Sequence, residues 1–193
     1  MPSAPDRIFV SDFDGTMTEH DFYRLALQEL VPADTPDYWS EYRAGRITHH
    51  EALRRYFASI RASEAEMIAV VERMELDPLL ADSVAALRNA ASAGCCWYID
   101  RLLAAANVQL QVFANPGHIE PGQGLLMELP HESPFYSANL GVDKTEIVRS
   151  NLAAGRKVAF AGDGFPDADA ARLVAADLRF ARGDLAVVLQ RDG

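Results

Sequence analysis

Cysteine is the first thing that the chain nearly lacks. Its only 2 cysteines among 193 residues, Cys95 and Cys96, are adjacent. Neighbouring cysteines rarely form an unstrained disulfide, so a disulfide-stapled secreted domain is excluded and reduced thiols in the cytoplasm are expected. A reactive-cysteine enzyme is the alternative, but no convincing histidine partner accompanies them. Small buried residues are the preferred interpretation.

Long apolar runs are also missing. No stretch reaches the about 20 apolar residues that a membrane-spanning helix needs, and residues 1–7 lack the apolar core of a secretion signal. A membrane is therefore not an expected partner. The composition, 49% hydrophobic, is nevertheless sufficient for one substantial core and a small accessory unit.

Basic residues are scarce. Lys and Arg number 18 against 28 Asp and Glu, which gives a net charge of −10. A nucleic-acid-binding domain would carry a basic surface, so nucleic acid is not an expected partner. This acidic balance does not attract anionic small molecules either, so a site for one would need its own positive groups.

An acidic pair ends the first apolar run. Asp12 and Asp14 follow Ile8–Val10 and are two positions apart, so on an extended strand both side chains point to one face. Two carboxylates without a basic residue between them suit a divalent cation, or a nucleophile beside a general acid. Gly15 permits a sharp turn that Thr16 can stabilise by hydrogen bonding, although Asp-Gly is also frequent in ordinary turns.

A second acidic pair follows another apolar segment. Lys157–Ala161 is typical of a buried strand and leads into Gly162–Asp167, which contains Asp163 and Asp167. If both strands are central and parallel, their carboxyl ends meet at the edge where such sheets bind ligands. The carboxylates would converge there, and hard oxygen ligands favour Mg²⁺ over zinc or copper.

These segments, with two others, resemble the motifs of the haloacid dehalogenase (HAD) superfamily of phosphotransferases. Asp12–Thr16 resembles the first motif of that family, and Gly162–Asp167 resembles the fourth. Ser92–Gly94 is similar to the second motif, a serine or threonine after a strand, and Lys144 to the third, a lysine at the start of a helix. All four occur in the family's order and span nearly the whole chain.

The resemblance implies an α/β fold with a doubly wound parallel sheet, a Rossmann-like core, and Mg²⁺-dependent hydrolysis of phosphate monoesters. Asp12 would attack phosphorus to give an aspartyl-phosphate. Asp14 would protonate the leaving alkoxide and then deprotonate the attacking water. The Asp12 carboxylate, the Asp14 backbone carbonyl and Asp163 would hold Mg²⁺, which neutralises charge on the transferring oxygens.

The remaining motif residues would support this chemistry. Ser92 and the backbone amide of Gly94 would hydrogen-bond the phosphoryl group, and Lys144 would place a point charge against it. Asp167 would orient Lys144 or the water beside the metal. Thr16 and Asp167 are both expected to lie behind the residues that contact the metal and the substrate.

Residues 19–77 differ in character from the rest. Apolar residues recur there at helical spacing with no strand between them, and Thr48–Glu51 and Ser63–Glu66 have the spacing of capping boxes. An all-helical insert after the first motif resembles the C1-type all-helical cap of the superfamily, which closes over the site and selects the leaving group. We therefore expect a helical cap over 19–77 and a catalytic core over 1–18 and 78–193.

Several residues of this segment are assigned no chemical role. Some side chains could touch a substrate, although aromatic residues of a cap are more often packing residues: Tyr23, Trp39, Tyr42 and Arg43. His49 and His50 are expected to face solvent in the first turn of a helix.

Two features depart from the family's pattern. A helical pattern over Val84–Ala90 runs almost directly into Ser92 and leaves no room for the strand that normally precedes the second motif. The chain also stops at Gly193, where relatives usually carry another helix. Either the sheet lacks a strand, or a short segment of the natural protein is missing from the sequence.

The remaining segments indicate short elements in α/β order. Residues 108–115 alternate like a strand, and 118–129 are typical of a small hairpin. Helices are expected over 142–152 and 167–176, followed by a last strand at 178–181.

The surroundings of the second motif narrow the expected substrate. Ser92–Gly94 followed by Trp97–Ile99 resembles the phosphoserine phosphatase-like subgroup, subclass IB. The best match is to the methionine-salvage phosphatases that act on 2-hydroxy-3-keto-5-methylthiopentenyl-1-phosphate, in which an aspartate follows the first motif much as Asp21 does here. Phosphoserine is the alternative substrate, with Glu19 and Arg61 in place of that enzyme's glutamate and cap arginine.

Other classes stay open. A response-regulator receiver also combines clustered acids, Mg²⁺, a phosphorylated aspartate and a lysine, but would not carry the helical insert, and Asp14 as acid and base predicts turnover. A phosphomutase would need a sugar-phosphate partner, and an inactive phosphate-binding module would not need all the acids. The expected partner is a small phosphorylated metabolite, and we expect a monomer or homodimer.

Overall fold

A parallel β-sheet provides the framework on which the acidic segments lie. The computed structural model describes residues 7–83 and 89–192, and the side chains of 7–81 and 94–192. The strands are β1 (Arg7–Ser11), β2 (Asn89–Cys95), β3 (Gln111–Asn115), β4 (Gly117–Glu120), β5 (Gly124–Met127), β6 (Tyr136–Ser137), β7 (Gly141–Val142), β8 (Lys157–Gly162) and β9 (Arg179–Ala181).

Helices precede, connect and follow these strands. They are α1 (Phe22–Glu29), α2 (Tyr38–Arg43), α3 (His49–Ala58), α4 (Glu64–Glu72), α5 (Leu80–Ser83), α6 (Cys96–Ala105), α7 (Lys144–Ala153), α8 (Ala168–Arg172) and α9 (Gly183–Asp192), with 3₁₀ turns at Phe165–Asp167 and Ala176–Leu178. Within the described ranges, none of the helices has both the length and the apolar character that crossing a bilayer requires.

The main sheet has five parallel strands in the order β3-β2-β1-β8-β9. β1 is central and pairs with β8 from Arg7 opposite Lys157 to Ser11 opposite Ala161. Later strands are added on both sides of β1, so its carboxyl end lies where the strand order changes direction, the usual ligand position in such sheets. The predicted α/β fold with a doubly wound parallel sheet is confirmed.

The expectation of a missing strand before the second motif is wrong. β2 lies between β1 and β3, with Asn89 opposite Val10, and its span of Asn89–Cys95 includes Ser92. Residues 89–90, which have a helical pattern, thus belong to the sheet, because pairing with a strand on each side outweighs the high intrinsic helix propensity of alanine. The rest of the segment predicted to be helical, residues 84–88, lies outside the described residues.

The other expected elements occur with shifted bounds. The strand, the hairpin and the helix expected between 108 and 152 correspond to β3, to β4 with β5, and to α7. The helix predicted over 167–176 is shorter, because it begins as a 3₁₀ turn and α8 ends at Arg172. A helix does follow the last strand: α9 packs against the core through the buried Leu185, whose backbone N–H donates to the Asp163 carbonyl at 3.0 Å.

The segment between β1 and the end of α4 contains four helices and no named strand. Its two ends lie side by side, because Thr18 forms an isolated antiparallel bridge with Leu76. The backbone N–H of Glu19 donates to the Glu75 carbonyl at 2.9 Å. The helical nature of this segment is confirmed, whereas its division from the core at residues 18 and 78 stays a prediction.

Hydroxyl side chains begin α3 and α4, as the sequence predicts. The Thr48 hydroxyl accepts the Glu51 N–H at 3.1 Å. The Glu51 carboxylate instead accepts hydrogen bonds from Arg54 and Arg55. At α4 the box is complete, because the Glu66 carboxylate accepts the Ser63 N–H at 2.8 Å while the Ser63 hydroxyl accepts the Glu66 N–H.

A loop of the core covers the first turn of α3. The side chain of Asn139 accepts the His49 N–H at 3.2 Å, and its backbone carbonyl accepts the His50 N–H at 2.8 Å. The prediction that these histidines face solvent is therefore wrong. His50 is only 3% exposed, and burial, together with repulsion from Lys144, lowers the pKa of His49 to about 4.

Two apolar clusters hold the layers together. One joins the helical segment to α6 and the hairpin, through residues such as Phe22, Phe57 and Leu125. The other lies between the sheet and α7 to α9, and includes Val10 and Phe160. Because the helical segment shares its core with α6 and β5, its packing also positions the end of the sheet.

Two glycines of the hairpin provide a matched test of this packing. Gly124 and Gly122 have φ angles of +80° and +81°, so alanine is strained at either position by about 1–2 kcal/mol. A Cβ at Gly124 would lie 2.5 Å from the Phe57 carbonyl oxygen of α3, whereas at Gly122 it meets no atom within 4 Å.

We expect Gly124→Ala to lower the free energy of unfolding by about 1–3 kcal/mol more than Gly122→Ala, because only the first forces the hairpin away from α3. Urea unfolding of both variants measures the difference. Equal losses would show that the hairpin does not pack against α3 as described.

Candidate active site

The carboxyl end of β1 carries the first acidic pair. Asp12 follows the strand directly, and its backbone N–H donates to the Ala161 carbonyl of β8 at 2.9 Å. Asp12 and Asp14 are both buried, with exposed fractions of 4% and 9%. The chain then turns at Gly15, whose φ of +71° requires glycine.

Lys144 links the two acidic strand ends. It is the first residue of α7, a helix that the Asp143 side chain caps by accepting the Glu146 N–H at 3.1 Å. The Nζ atom of Lys144 donates to Asp12 Oδ1 and, at 2.6 Å, to Asp167 Oδ1. The structure places the charge of Lys144 against these two carboxylates, whereas its predicted contact with a phosphoryl group stays a prediction.

Asp167 uses both carboxylate oxygens in hydrogen bonds. Oδ1 accepts from Lys144, while Oδ2 accepts the backbone N–H groups of Asp163 at 3.1 Å and Gly164 at 3.0 Å. With an exposed fraction of 1%, it fixes both the lysine and the turn after β8. This geometry suits a residue that orients Lys144 better than one that binds substrate.

The Asp163 carboxylate faces the turn after β1. A Cβ at Gly15 would lie 2.6 Å from Asp163 Oδ2, so only glycine allows this approach. Asp12, Asp163 and Asp167 can each offer an oxygen atom within 4.8 Å of the other two. An all-oxygen set of this kind suits Mg²⁺. Since both carboxylate oxygens of Asp167 already accept hydrogen bonds, Asp12 and Asp163 are the better ligands.

Burial and mutual repulsion make it unfavourable for all the carboxylates of this cluster to be ionised unless a cation lies beside them. Burial raises the pKa of Asp12 well above its usual value, against the opposing effect of Lys144. Burial also raises the pKa of Asp163, and the neighbouring charge of Asp167 adds to that. For Lys144, burial acts to lower the pKa, but Asp12 and Asp167 outweigh it and hold the pKa above its usual value. A divalent cation would relieve this repulsion.

Asp14 contacts a different set of groups. Its Oδ2 accepts the Tyr98 hydroxyl of α6 at 2.9 Å, and its Oδ1 accepts the Phe22 N–H at the start of α1 at 3.4 Å. Sequence reasoning missed Tyr98, because an aromatic residue on a buried helix face has no local feature that distinguishes it from a packing residue.

Gly94, predicted to bind phosphate through its amide, lies against this hydrogen bond. A Cβ at Gly94 would overlap the Tyr98 hydroxyl and lie 2.6 Å from Asp14 Oδ2, so no other residue fits. The side chain of Ser92, the other predicted phosphate ligand of this motif, lies outside the described residues. Phosphate binding by both residues stays a prediction.

The turn after Asp14 is held by side chains that the sequence reading assigned only in part. The Thr18 hydroxyl, rather than that of Thr16, accepts the Gly15 N–H at 3.0 Å. The Thr16 hydroxyl instead approaches Asp12 Oδ2 at 3.5 Å, and its supporting role behind the residues that contact metal and substrate stays a prediction.

Arg182, from the loop between β9 and α9, was also missed. Its guanidinium donates to the backbone carbonyl of Gly15 and, at 2.8 Å, to that of Thr18. A longer bond of 3.3 Å reaches the carbonyl of Glu19. The last loop of the chain therefore fixes the turn that carries the acidic pair.

A cavity of about 780 Å³ opens beside Asp163. Its wall combines the turn after β1, the start of α1 and the loop of Arg182, and includes Gly15, Glu19, Asp21 and Arg24. Glu19 pairs loosely with Arg182 at 3.7 Å. Arg61 lies just beyond α3, where it donates to the Ala58 carbonyl at 2.9 Å.

The adjacent cysteines are not activated. Cys95 is fully buried, and burial raises the pKa of its thiol to about 12. Burial also raises the pKa of Cys96. Since the thiolate is the reactive form, the interpretation of both as small structural residues is supported.

Comparisons with known proteins identify the fold. A HAD-family hydrolase from Salmonella enterica serovar Typhi aligns with a TM-score of 0.62 and 20% identity, over 90% of this chain and 61% of that one. A phosphoserine phosphatase, solved as a phospho-aspartyl intermediate analogue, aligns with a TM-score of 0.61 and 16% identity over 96% and 98%. A cytosolic 5′-nucleotidase bound to cytidine aligns with a TM-score of 0.54 and 20% identity over 97% and 77%.

Sequence comparison adds nothing to this, since no family model and no curated protein matches the chain. The chain spans about three fifths of the length of the Salmonella hydrolase and nearly all of the phosphoserine phosphatase. At such low identity, the likeness establishes the fold alone. The chain has the fold of the HAD hydrolases.

The crowded carboxylates lead to a prediction about stability. We expect Mg²⁺ to raise the free energy of unfolding, because a cation between Asp12 and Asp163 offsets their repulsion and binds the folded state. At ~100 times Kd the gain is about 2.7 kcal/mol. Urea unfolding with Mg²⁺ or with EDTA measures it.

Two neutralising variants test where the ion binds. Asp163→Asn should remove the Mg²⁺-dependent gain, whereas Asp169→Asn should keep it, because Asp169 is exposed and pairs with Arg172 instead. A full gain in Asp163→Asn would contradict the proposed ligand set.

Proposed function

We propose that the protein is a Mg²⁺-dependent phosphatase that hydrolyses a small phosphorylated metabolite through an aspartyl-phosphate intermediate. One observation carries the proposal: the buried Lys144 joins Asp12 and Asp167 at the ends of two adjacent parallel strands, with Asp163 beside them. HAD-type phosphatases with known structures share the fold.

Asp12 is the proposed nucleophile. Lys144 holds Oδ1, whereas among the side chains that the structure describes Oδ2 has only the long contact with Thr16, so Oδ2 is the oxygen better placed to attack phosphorus. An Asp12–phosphorus bond forms as the ester oxygen–phosphorus bond breaks. Asp14 gives its proton to the departing oxygen, so the alcohol leaves neutral.

The second step regenerates the enzyme. Asp14, now a carboxylate, takes a proton from a water molecule, which attacks the phosphorus of the aspartyl-phosphate and releases inorganic phosphate. Lys144, the amide of Gly94 and the Ser92 hydroxyl are proposed to hold the phosphoryl oxygens throughout. The positive charge of Lys144 supplies the local attraction that the acidic chain otherwise lacks.

The carboxylates fit a magnesium ion. Asp12 and Asp163, with the backbone carbonyl of Asp14, would hold it. When bound, the ion neutralises charge that develops on the transferring oxygens. Asp167 keeps Lys144 and the turn after β8 in place around it.

The helical segment 19–77 is proposed to act as a cap over the core formed by 1–18 and 78–193. Its two ends lie side by side at Thr18 and Leu76, as a hinge for such a unit would require. The cavity beside Asp163 lies where α1 meets the core and would receive the leaving group. Closure over this cavity would exclude water before the nucleophile is attacked.

We favour a small phosphorylated metabolite over phosphoserine, and the methionine-salvage type is the best match in sequence. The sequence around Ser92 and Asp21 supports that choice. Phosphoserine is the second candidate, since phosphoserine phosphatases are among the structural neighbours. The residues that would replace that enzyme's amino-acid ligands are engaged elsewhere, Glu19 with Arg182 and Arg61 with the end of α3.

The alternative from another functional class is a receiver-like protein or an inactive phosphate-binding module. Such a protein would bind phosphate or carry a stable phosphoryl group without releasing phosphate repeatedly. The proposed acid and base role of Asp14 favours turnover. We propose a monomeric or homodimeric protein in a reducing, cytoplasmic environment, on the basis of the two unpaired cysteines.

Phosphate release from a panel of substrates tests the proposal. The panel contains 2-hydroxy-3-keto-5-methylthiopentenyl-1-phosphate, phosphoserine, a nucleoside monophosphate and p-nitrophenyl phosphate, each with Mg²⁺ and with EDTA. We expect Mg²⁺-dependent turnover that Asp12→Asn lowers by at least about 10³-fold, because the amide is a poor nucleophile.

The exposed Asp169→Asn variant is the matched control and should turn over like the wild type. Release of no phosphate from any substrate by folded protein with Mg²⁺ would overturn the proposal. A single phosphorylation of Asp12 without turnover would instead favour the receiver-like class.

A further inference from the structure

We propose that Tyr98 is a positioning residue for Asp14, holding the carboxyl group that exchanges protons with the leaving group and with water. The inference rests on the proposed phosphatase function. It assigns a chemical role to a residue that sequence reasoning treats as part of a helix core.

The contact joins buried groups from two distant parts of the chain. The Tyr98 hydroxyl donates to Asp14 Oδ2 at 2.9 Å across 84 positions of sequence. Tyr98 is 1% exposed, so its hydroxyl is shielded from bulk solvent, and a buried phenol needs a hydrogen-bond partner. Its partner is the carboxylate proposed as acid and base, rather than a nearby backbone carbonyl.

The tyrosine ring is itself held in place. Phe22 stacks on it, with ring centroids 4.4 Å apart and an interplanar angle of 28°. On the other side, Gly94 lies so close to the hydroxyl that a Cβ would overlap it. The hydroxyl therefore has little freedom to leave Asp14, as preorganised support of a reacting group requires.

This hydrogen bond strengthens when the proton leaves. In the first step, the Asp14 proton moves to the ester oxygen as the oxygen–phosphorus bond breaks, and the Asp14 carboxyl becomes a carboxylate. Hydrogen bonds to a charged acceptor are about twice as strong as those to a neutral one. Tyr98 thus stabilises the transition state more than the ground state, in proportion to how far the proton has moved.

The dependence on the leaving group tests this role. p-Nitrophenolate departs with little need for a proton, whereas the more basic phenolate of phenyl phosphate needs one, and the two esters have similar shapes. We expect Tyr98→Phe to lose about tenfold more kcat/KM on phenyl phosphate than on p-nitrophenyl phosphate, the effect of one hydrogen bond to a charged group. KM should change little, because Tyr98 is 1% exposed and its hydroxyl is directed to Asp14.

Two further comparisons show whether the effect of Tyr98→Phe depends on its hydrogen bond with Asp14. Tyr136→Phe removes a hydroxyl from an exposed strand away from Asp14 and should keep the wild-type ratio of the two rates. Tyr98→Phe keeps the ring that stacks on Phe22. In urea unfolding, the destabilising effect of Tyr98→Phe should be smaller in an Asp14→Ala background than in the wild type, since the acceptor of the Tyr98 hydrogen bond is already gone.

Each outcome decides a different point. An equal loss on both esters, or no loss, would overturn the positioning role while the phosphatase function stands. Additive effects of the two substitutions on urea unfolding would overturn the contact itself. A folded wild type that hydrolyses neither ester nor any substrate of the panel would overturn the proposed function, and this inference with it.

Discussion

The buried ammonium group of Lys144 is the interaction on which the acidic end of the sheet depends. Asp12 and Asp167 carry like charges in a place that solvent hardly reaches, and each bonds to the same Nζ atom. Removing one partner of such a group leaves an uncompensated charge, which costs about 3–5 kcal/mol. Lys144 therefore makes it possible for one buried point to hold several carboxylates, and a divalent cation would relieve the repulsion that remains between them.

The main chain determines that these groups meet. β1 and β8 pair in register over five residues with no strand between them, so their acidic ends are neighbours. Lys144 reaches them because α7 begins beside that edge, after a turn that Asp143 caps. Asp14, by contrast, points toward α6 and α1. The carboxylates of Asp12 and Asp14 are only two positions apart, yet Asp12 lies in the charged cluster and Asp14 accepts hydrogen bonds from neutral donors.

The sequence predicted those features that a short stretch of neighbouring residues determines, and it missed those that depend on contacts between distant parts of the chain. Both acidic motifs, Lys144 and the parallel sheet follow from residues that lie next to each other in the chain. Tyr98 and Arg182 reach their partners across 84 and 167 positions, and neither has a neighbouring residue that marks it. The start of β2 was misread because alanine-rich sequence suits a helix in isolation, and its partners in the sheet are distant.

The contact of Asn139 with α3 has a consequence for access to the site. The two hydrogen bonds it accepts satisfy the first-turn N–H groups of α3, which have no partner within the helix. If α3 lifts from the core, water can replace both, at a net cost of about 1 kcal/mol for each bond. Hydrogen bonding at this point therefore adds little to the cost of opening, which falls mainly on the apolar cluster that α3 shares with α6 and the hairpin, so that packing governs access to the buried carboxylates.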